Sequence, residues 1–295
     1  MEELVAGDEI VYGVTTGFGD LATTRIAHAD SETLQRNLLV SHAVGVGPAH
    51  STEVVRAMLL LRANALAQGY SGCRPQIVER LLEFLRSGIH PVVPSQGSVG
   101  ASGDLAPLAH LALPLIGLGL AEVDGEVVAG GEALDRRGLV PLTLQAKEGL
   151  ALLNGTQQMS AVGVLTLLRA ENLVRTASVV AALSVEALEG TDVAFAQAYH
   201  AVRPHPGQMQ VAAELRELLR DSELIRAHRG ALHKVQDPYS IRCVPQVHGA
   251  VADALAYVRS VLEVEVNSAT DNPLVFVDGA DVDPDAVATG GGRVV

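Results

Sequence analysis

From Leu144 to Leu188 the chain is broken only at the Asn154-Gly155-Thr156 triplet, and Ala, Leu and Val recur on nearly every side of the helical repeat. A helix that is apolar all round has no solvent face, so it must be surrounded by other helices or by partner chains. Other segments follow the same grammar. "STEVVRAMLLLRANALAQGYSG" puts Val54, Met58, Leu61 and Ala65 on one face behind a Ser51-Thr52 cap and ends at Gly69 and Gly72. "RPQIVERLLEFLRSGI" has Pro75 in its first turn and Gly88 just past its last. "ELRELLRDSELIRAHR" is amphipathic, and "VHGAVADALAYVRSVLEVEVNSATDNP" reads as a long helix that is over by Asn272-Pro273. Strand signals are few: "AEVDGEVV", with Asp124 and Gly125 at its turn, predicts one short β-hairpin. The expected class is mainly α, a long-helix bundle, with a small mixed N-terminal part over residues 1–70 and a helical remainder over 71–295.

Charge narrows the partners. The 295 residues are 48% hydrophobic, enough for one large or two ordinary domains, and the net charge is −13. An acidic chain offers no basic face to nucleic acid or to an anionic membrane, so a small metabolite is the expected ligand. Cys73 and Cys243 lie far apart, with neither disulfide-framework nor zinc-cluster spacing, which points to a reducing, cytoplasmic compartment. The apolar run from Leu105 to Ala121 is interrupted by Pro107, His110 and Pro114 and falls short of the roughly 20 residues that span a bilayer. Ten histidines include no H-E-x-x-H, and His228 and His233 are five apart, on different helix faces, so no metal is expected. "GFGDLA", residues 17–22, fits the loose dinucleotide fingerprint, but no acidic residue follows at a strand end about 20 positions on, and a plain loop is the better reading.

The densest chemical signal is "GSVGASGDLAPLAH", residues 97–110. The plain reading is a tight turn into a helix, with Ser102 or Asp104 as cap and Pro107 in the first turn. A cap needs one polar residue, however, and here Gly97, Gly100 and Gly103 surround Ala101, Ser102 and Asp104. If the backbone folds back, the amide nitrogen of Gly103 can attack the carbonyl carbon of Ala101 and close a five-membered ring. Loss of two waters then turns Ser102 into an exocyclic methylidene. Glycine removes Cβ hindrance at the attacking position and tolerates the strained dihedrals.

This stretch resembles, over its full length, the signature of the aromatic amino acid ammonia-lyases that carry a 4-methylidene-imidazol-5-one (MIO) group. Further blocks match in order: "VYGVTTGFG", "NLLVSHAVGVGP", "LLNGTQ", "VQDPYSIRCVPQVHG" and "NSATDNPLVF". The resemblance implies a fumarase/aspartase-like helical bundle and an MIO formed from Ala101, Ser102 and Gly103, with no external cofactor. It implies Tyr12 as the base that removes a proton from the substrate β-carbon, and it places Tyr239 with the catalytic set. Asn154 and Arg242 would bind the substrate carboxylate, and Gln236 would line the site. Taken alone, these residues read otherwise: Tyr12 as a half-buried core residue, Arg242 as a surface ion-pair arginine, Asn154 as a turn or cap residue, Gln236 and Tyr239 as loop hydrogen bonders.

Around His42 the text "SHAVGVG" is nearest to the histidine-acting branch of the family, which implies L-histidine as substrate and trans-urocanate and ammonia as products. The same imidazole could hold a tyrosine hydroxyl, so a tyrosine or phenylalanine ammonia-lyase, or a 2,3-aminomutase, stands as the runner-up. Family members begin upstream of the position of Met1 and continue past that of Val295, so the resemblance implies a chain truncated at both ends. It further implies a homotetramer for the full-length parent, whose sites are built from more than one subunit. A third reading is a silent fragment in which the three ring residues never cyclise.

Overall fold

The computed structural model of the chain describes Thr16 and residues 31–100, 103–230 and 235–276. They divide into two compact units, one made of residues 1–163 and 264–295, the other of 164–263. The expected boundary near residue 70 falls inside the first unit, because the helices on either side of it pack on one another and share one core. The actual dividing lines fall within two long helices.

In the first unit α1 spans Ser31–His42 and is followed by strand β1, Val46–Ala49. Helices α2 (Thr52–Ala67) and α3 (Pro75–Ser87) pack against one another. The Ser51 hydroxyl accepts from the Val54 amide at the start of α2. Pro75 opens α3, and Gly88 closes it in the left-handed conformation with φ 71°, its amide donating to the Phe84 carbonyl. The buried face of α2 carries Val55, Met58, Leu59 and Leu66, with Val54 and Leu61 only partly covered, so it lies slightly round from the expected stripe. It also carries the guanidinium of Arg62, fully buried.

Strand β2 (His90–Pro91) and strand β3 (Pro94–Gln96) lead to α4, Leu105–Ala112, which runs into a 3-10 turn over Leu113–Ile116. The predicted hairpin forms as β4 (Leu120–Val123) and β5 (Glu126–Ala129). Asp124 and Gly125 both have positive φ, 54° and 81°, the backbone of a type I′ turn whose twist matches that of the strands. Strand β2 joins it through the pairing His90↔Glu122, and β1 pairs with β3 through Val46↔Gln96 and Ala49↔Pro94. These short pairings, rich in proline, carry no alternating pattern and were not foreseen. Helices α5 (Gly130–Asp135) and α6 (Glu148–Leu153) follow, and α6 is buried along its whole length.

The 31-residue helix α7 (Gln157–Ala187) begins in the first unit. The second unit holds the rest of it, with α8 (Gln197–Ala201), α9 (Pro206–Leu219), α10 (Glu223–His228), α11 (Tyr239–Arg242) and most of α12 (Val244–Glu265). Its small core gathers Ala182, Val185, Phe195, Val211, Leu215 and Leu219. Helices α9 and α12 touch at two glycines: a Cβ on Gly207 would lie 2.2 Å from the Gly249 carbonyl oxygen, so only glycine lets the backbones approach this closely. Among the described residues no helix is long and apolar enough to cross a membrane, and no group of three His, Cys, Asp or Glu could hold a metal ion.

Candidate active site

The glycine-dense loop leaves strand β3 at Gly97 and ends at α4. Gly100 and Gly103 have φ of 57° and 89°, a region open to glycine and costly for other residues. The Gly103 amide donates to the Gly100 carbonyl at 2.8 Å, and the Val99 amide to the Gly103 carbonyl at 3.2 Å. Positions 101 and 102, between these anchors, lie outside the described residues, so the calls on Ala101 and Ser102 lie there too. So do Tyr12, the "GFGDLA" stretch and His233.

Asp104 fastens the loop. It stands at the N-cap position of α4 without capping that helix. Its buried carboxylate accepts from the Ser98 hydroxyl at 2.6 Å and, through Oδ2, from the Met159 amide at 2.9 Å, in the first turn of α7. An anion at a helix N-terminus satisfies an orphan N–H and meets the positive end of the helix dipole. The Asp104 amide in turn donates to the Gly155 carbonyl at 2.7 Å. The sequence suggested Asp104 as a cap for its own helix; the structure makes it the cap of another.

Asn154 closes α6 beside the loop. A Cβ on Gly103 would stand 3.0 Å from the Gly155 carbonyl oxygen and 3.6 Å from Asn154 Oδ1. The Asn154 amide group donates from Nδ2 to the Asn272 carbonyl, which fixes the carboxamide with Oδ1 facing Gly103. Gly103 and Asn154 are therefore neighbours.

A buried polar network under this corner was not anticipated. Arg62 donates from Nη1 to Gln157 Oε1 at 2.9 Å and to the Thr270 carbonyl at 3.4 Å, and from Nη2 to the Ala151 carbonyl. Burial disfavours its charge, and Asp271 works in the opposite direction. Lys147 and Asp271, both buried, pair at 2.7 Å. Desolvation pushes the Lys147 ammonium below its ordinary pKa, with Asp271 opposing that shift. The second oxygen of Asp271 accepts from the Asn272 amide at 2.7 Å, so one carboxylate ties Lys147 to the residue whose carbonyl holds Asn154. Burial, followed by Glu148, pushes the nearby Cys73 thiol up to about 11, which leaves it protonated and inert at neutral pH. The available signal was the adjacent charges Lys147 and Glu148 at the head of the apolar "GLALL"; nothing in the polar "NSATDNP" singled out Asp271.

His42 is the last residue of α1. Its Nδ1 lies 2.9 Å from the Leu38 carbonyl oxygen and 3.1 Å from the Ser41 hydroxyl. A proton on Nδ1 serves the carbonyl and leaves a lone pair on Nε2 in the neutral ring.

Gln236, Tyr239 and Arg242 belong to the second unit and cluster there. Pro238 stands before α11, whose single turn places Arg242 over Tyr239, with the guanidinium carbon 4.0 Å from the ring centroid. Arg242 Nη1 donates to Gln236 Oε1. Its Nε is buried without a partner among the described residues. The intervening Asp237 is buried and accepts from the Thr191 amide at 2.8 Å, which anchors the segment to the end of α7.

Residues 1–292 match the family described as aromatic amino acid lyase. The chain is 57% identical over 282 residues to a histidine ammonia-lyase of Gloeobacter violaceus, covering 96% of this chain and 55% of that protein. Among solved structures, a histidine ammonia-lyase from Trypanosoma cruzi superposes with a TM-score of 0.84 at 42% identity, covering 95% of this chain and 51% of that one. A tyrosine aminomutase from Streptomyces globisporus superposes with a TM-score of 0.86 at 40% identity, over 95% and 56%. The chain spans about half the length of the curated relatives it matches.

Proposed function

The chain belongs to the aromatic amino acid lyase family, and from that premise we propose that it serves the non-oxidative elimination of ammonia from L-histidine, giving trans-urocanate. The observation that carries this reading is the hydrogen bond from the Gly103 amide to the Gly100 carbonyl, with Asp104 tied to α7 and to the Gly155 carbonyl just past α6, and Asn154 alongside. It suits an MIO group: the Gly103 amide is already turned back along the chain, and its φ of 89° and the nearby Gly155 oxygen admit only glycine. An MIO built from Ala101, Ser102 and Gly103 would supply the electrophile that makes the substrate amine a leaving group.

The chain's own groups account for binding and proton removal. Arg242, pre-set by Gln236 and the Tyr239 ring, offers its planar fork to the substrate carboxylate. In the first unit, Asn154 keeps the second proton of its Nδ2 for an acceptor beside Gly103. The bare Nε2 of His42 accepts from the substrate imidazole N–H. Tyr12 takes the β-proton. A phenol titrates near ~10, so this role needs cationic or donor groups around it.

Leu173, Leu183, Tyr257 and Val261, on α7 and α12, are each at least half exposed. Apolar area on this scale is the mark of a subunit contact, and it supports a homotetramer for the full-length parent, measured by light scattering after size exclusion.

The Gloeobacter and Trypanosoma relatives favour histidine as the substrate. The second reading, a tyrosine or phenylalanine lyase or a 2,3-aminomutase, draws on the likeness to the tyrosine aminomutase and on the fact that the His42 Nε2 would also accept from a phenol. Absorbance of urocanate from histidine, with no cinnamate-type product from tyrosine or phenylalanine, separates the two. Intact mass tests the ring: the protein should weigh two waters less than its sequence, and Ser102→Ala should restore the full mass and abolish turnover with the fold intact. A full-mass wild-type chain is the silent-fragment outcome.

A further inference from the structure

Three segments meet at His110, which the reaction outlined above does not use. Gly45, three residues after His42, donates its amide to His110 Nε2 at 3.1 Å. No room remains between them: a Cβ on Gly45 would lie 3.2 Å from Cδ2 and Nε2 of His110 and 3.2 Å from Cβ of Pro94. The same glycine supports the start of the glycine-dense loop, where a Cβ on Gly97 would stand 3.4 Å from the Gly45 Cα and 3.1 Å from Cβ of Ala106. Just beyond, Val46 pairs with Gln96 in the β1 and β3 ladder. The strand entering the loop, the helix leaving it and the segment carrying His42 are thus joined through one imidazole. An N–H aimed at Nε2 needs a lone pair there, so the ring is neutral with its proton on Nδ1. Burial, which lowers its pKa, favours that form.

We propose that His110 is a positioning residue: by accepting from Gly45 it sets the His42 segment against the Gly97–Asp104 loop and so determines how tightly the substrate ring is held. The idea rests on the reaction proposed above, although the tie itself does not. His110→Leu keeps an apolar bulk beside Gly45 and removes the acceptor, whereas His110→Gln keeps an acceptor of similar reach. With folding checked by circular dichroism and ring formation by intact mass, steady-state kinetics are measured on whichever amino acid of the panel the protein converts. The leucine variant should raise KM about fivefold to tenfold, the worth of one hydrogen bond, with kcat within about twofold, and the glutamine variant should return KM close to wild type. An unchanged KM with a lowered melting temperature overturns the proposal, since His110 would then be only a packing residue.

Should the leucine variant fail to fold or cyclise, the imidazole 15N shifts of wild-type His110 decide. A protonated Nδ1 and bare Nε2, with slow exchange of the Gly45 amide, are expected; a proton on Nε2 overturns the proposal. Conversion of tyrosine in place of histidine would refute the substrate reading alone, and the KM comparison would then be made on tyrosine. Absence of any turnover by the wild type overturns both the reaction and the role assigned to His110, while the ring shifts still report whether the tie exists.

Discussion

The Asp104 carboxylate lies 2.9 Å from the Met159 amide, so the residue that ends the glycine-dense loop caps a helix more than fifty positions further along the chain. Both oxygens are engaged, and the side chain is out of reach of solvent. Asp104→Asn keeps the shape but loses the charge and one acceptor. It should cost about 1–2 kcal/mol, as loss of a good N-cap does, measured by urea unfolding. Its intact mass should also show incomplete loss of the two waters, because the loop would no longer be strapped at that end. Full ring formation in this variant would show that the strap serves stability alone.

Gly155 offers a contrast with Gly88. A Cβ at Gly155 would lie 2.3 Å from Arg62 Nη1 and 2.8 Å from the Thr270 carbonyl oxygen, inside a buried network. Gly88 faces open space and is constrained only by its φ of 71°. Gly155→Ala should therefore cost about 3 kcal/mol or more and disturb the loop, the upper end of what overpacking does. Gly88→Ala should cost about 1–2 kcal/mol and leave the loop untouched. Equal melting temperatures for the two variants would contradict the geometry.

Lys147 and Asp271 form a buried ion pair, and removing one partner strands the other charge. Lys147→Met should lower stability by about 3–5 kcal/mol. The double variant Lys147→Met with Asp271→Leu should recover part of that loss, although the Asn272 amide would lose its acceptor. A double-mutant cycle by chemical denaturation gives the coupling, and a value near zero would mean that the pair is not closed in solution.

His50, His90, His110 and His248 share a direction: burial lowers each below the ordinary 6.5. The unfolded chain then takes up these protons first, so their stabilising effect is complete above that value and drains away as pH falls toward the folded-state values. The urea midpoint should drop between about pH 7.5 and about pH 5.5. The carboxylates of Asp124 and Glu171, held down chiefly by hydrogen bonds from Arg137 and Arg259, act only at lower pH. A midpoint that rises on acidification in that window would contradict the burial of these rings.

Helix existence was legible wherever local grammar sufficed. Pro75 and Gly88 bracket α3 as expected, and Asp124-Gly125 makes the hairpin. The helix starts nearest the site were less legible, because their caps come from elsewhere in the chain. Gln35 Oε1 accepts from Gly149 and Leu150 at the head of α6, Asp104 serves α7, and Asp253 accepts from Gly207 at the head of α9. No local pattern announces a cap supplied across such a distance. The same holds for Arg62, which stands on an otherwise apolar face with no local pattern to mark it as the hub of the network. Gly103, Asn154 and Arg242 were singled out through their motifs, while His110 sat in the quoted signature and gave no sign that its partner would be Gly45.

The segment from Val264 to Phe276 belongs to the first unit although a hundred residues of the second precede it. Val266 accepts from Asn64, Asn267 from Gln68, and Val275 donates to Tyr70. Contacts this distant in sequence slow folding, because a long loop must be closed before they form. As the polypeptide leaves the ribosome, the N-terminal unit is therefore a garment without its last seam: Lys147 and Asn154, and Arg62 for its bond to Thr270, wait for partners that are synthesised only after the whole second unit has emerged.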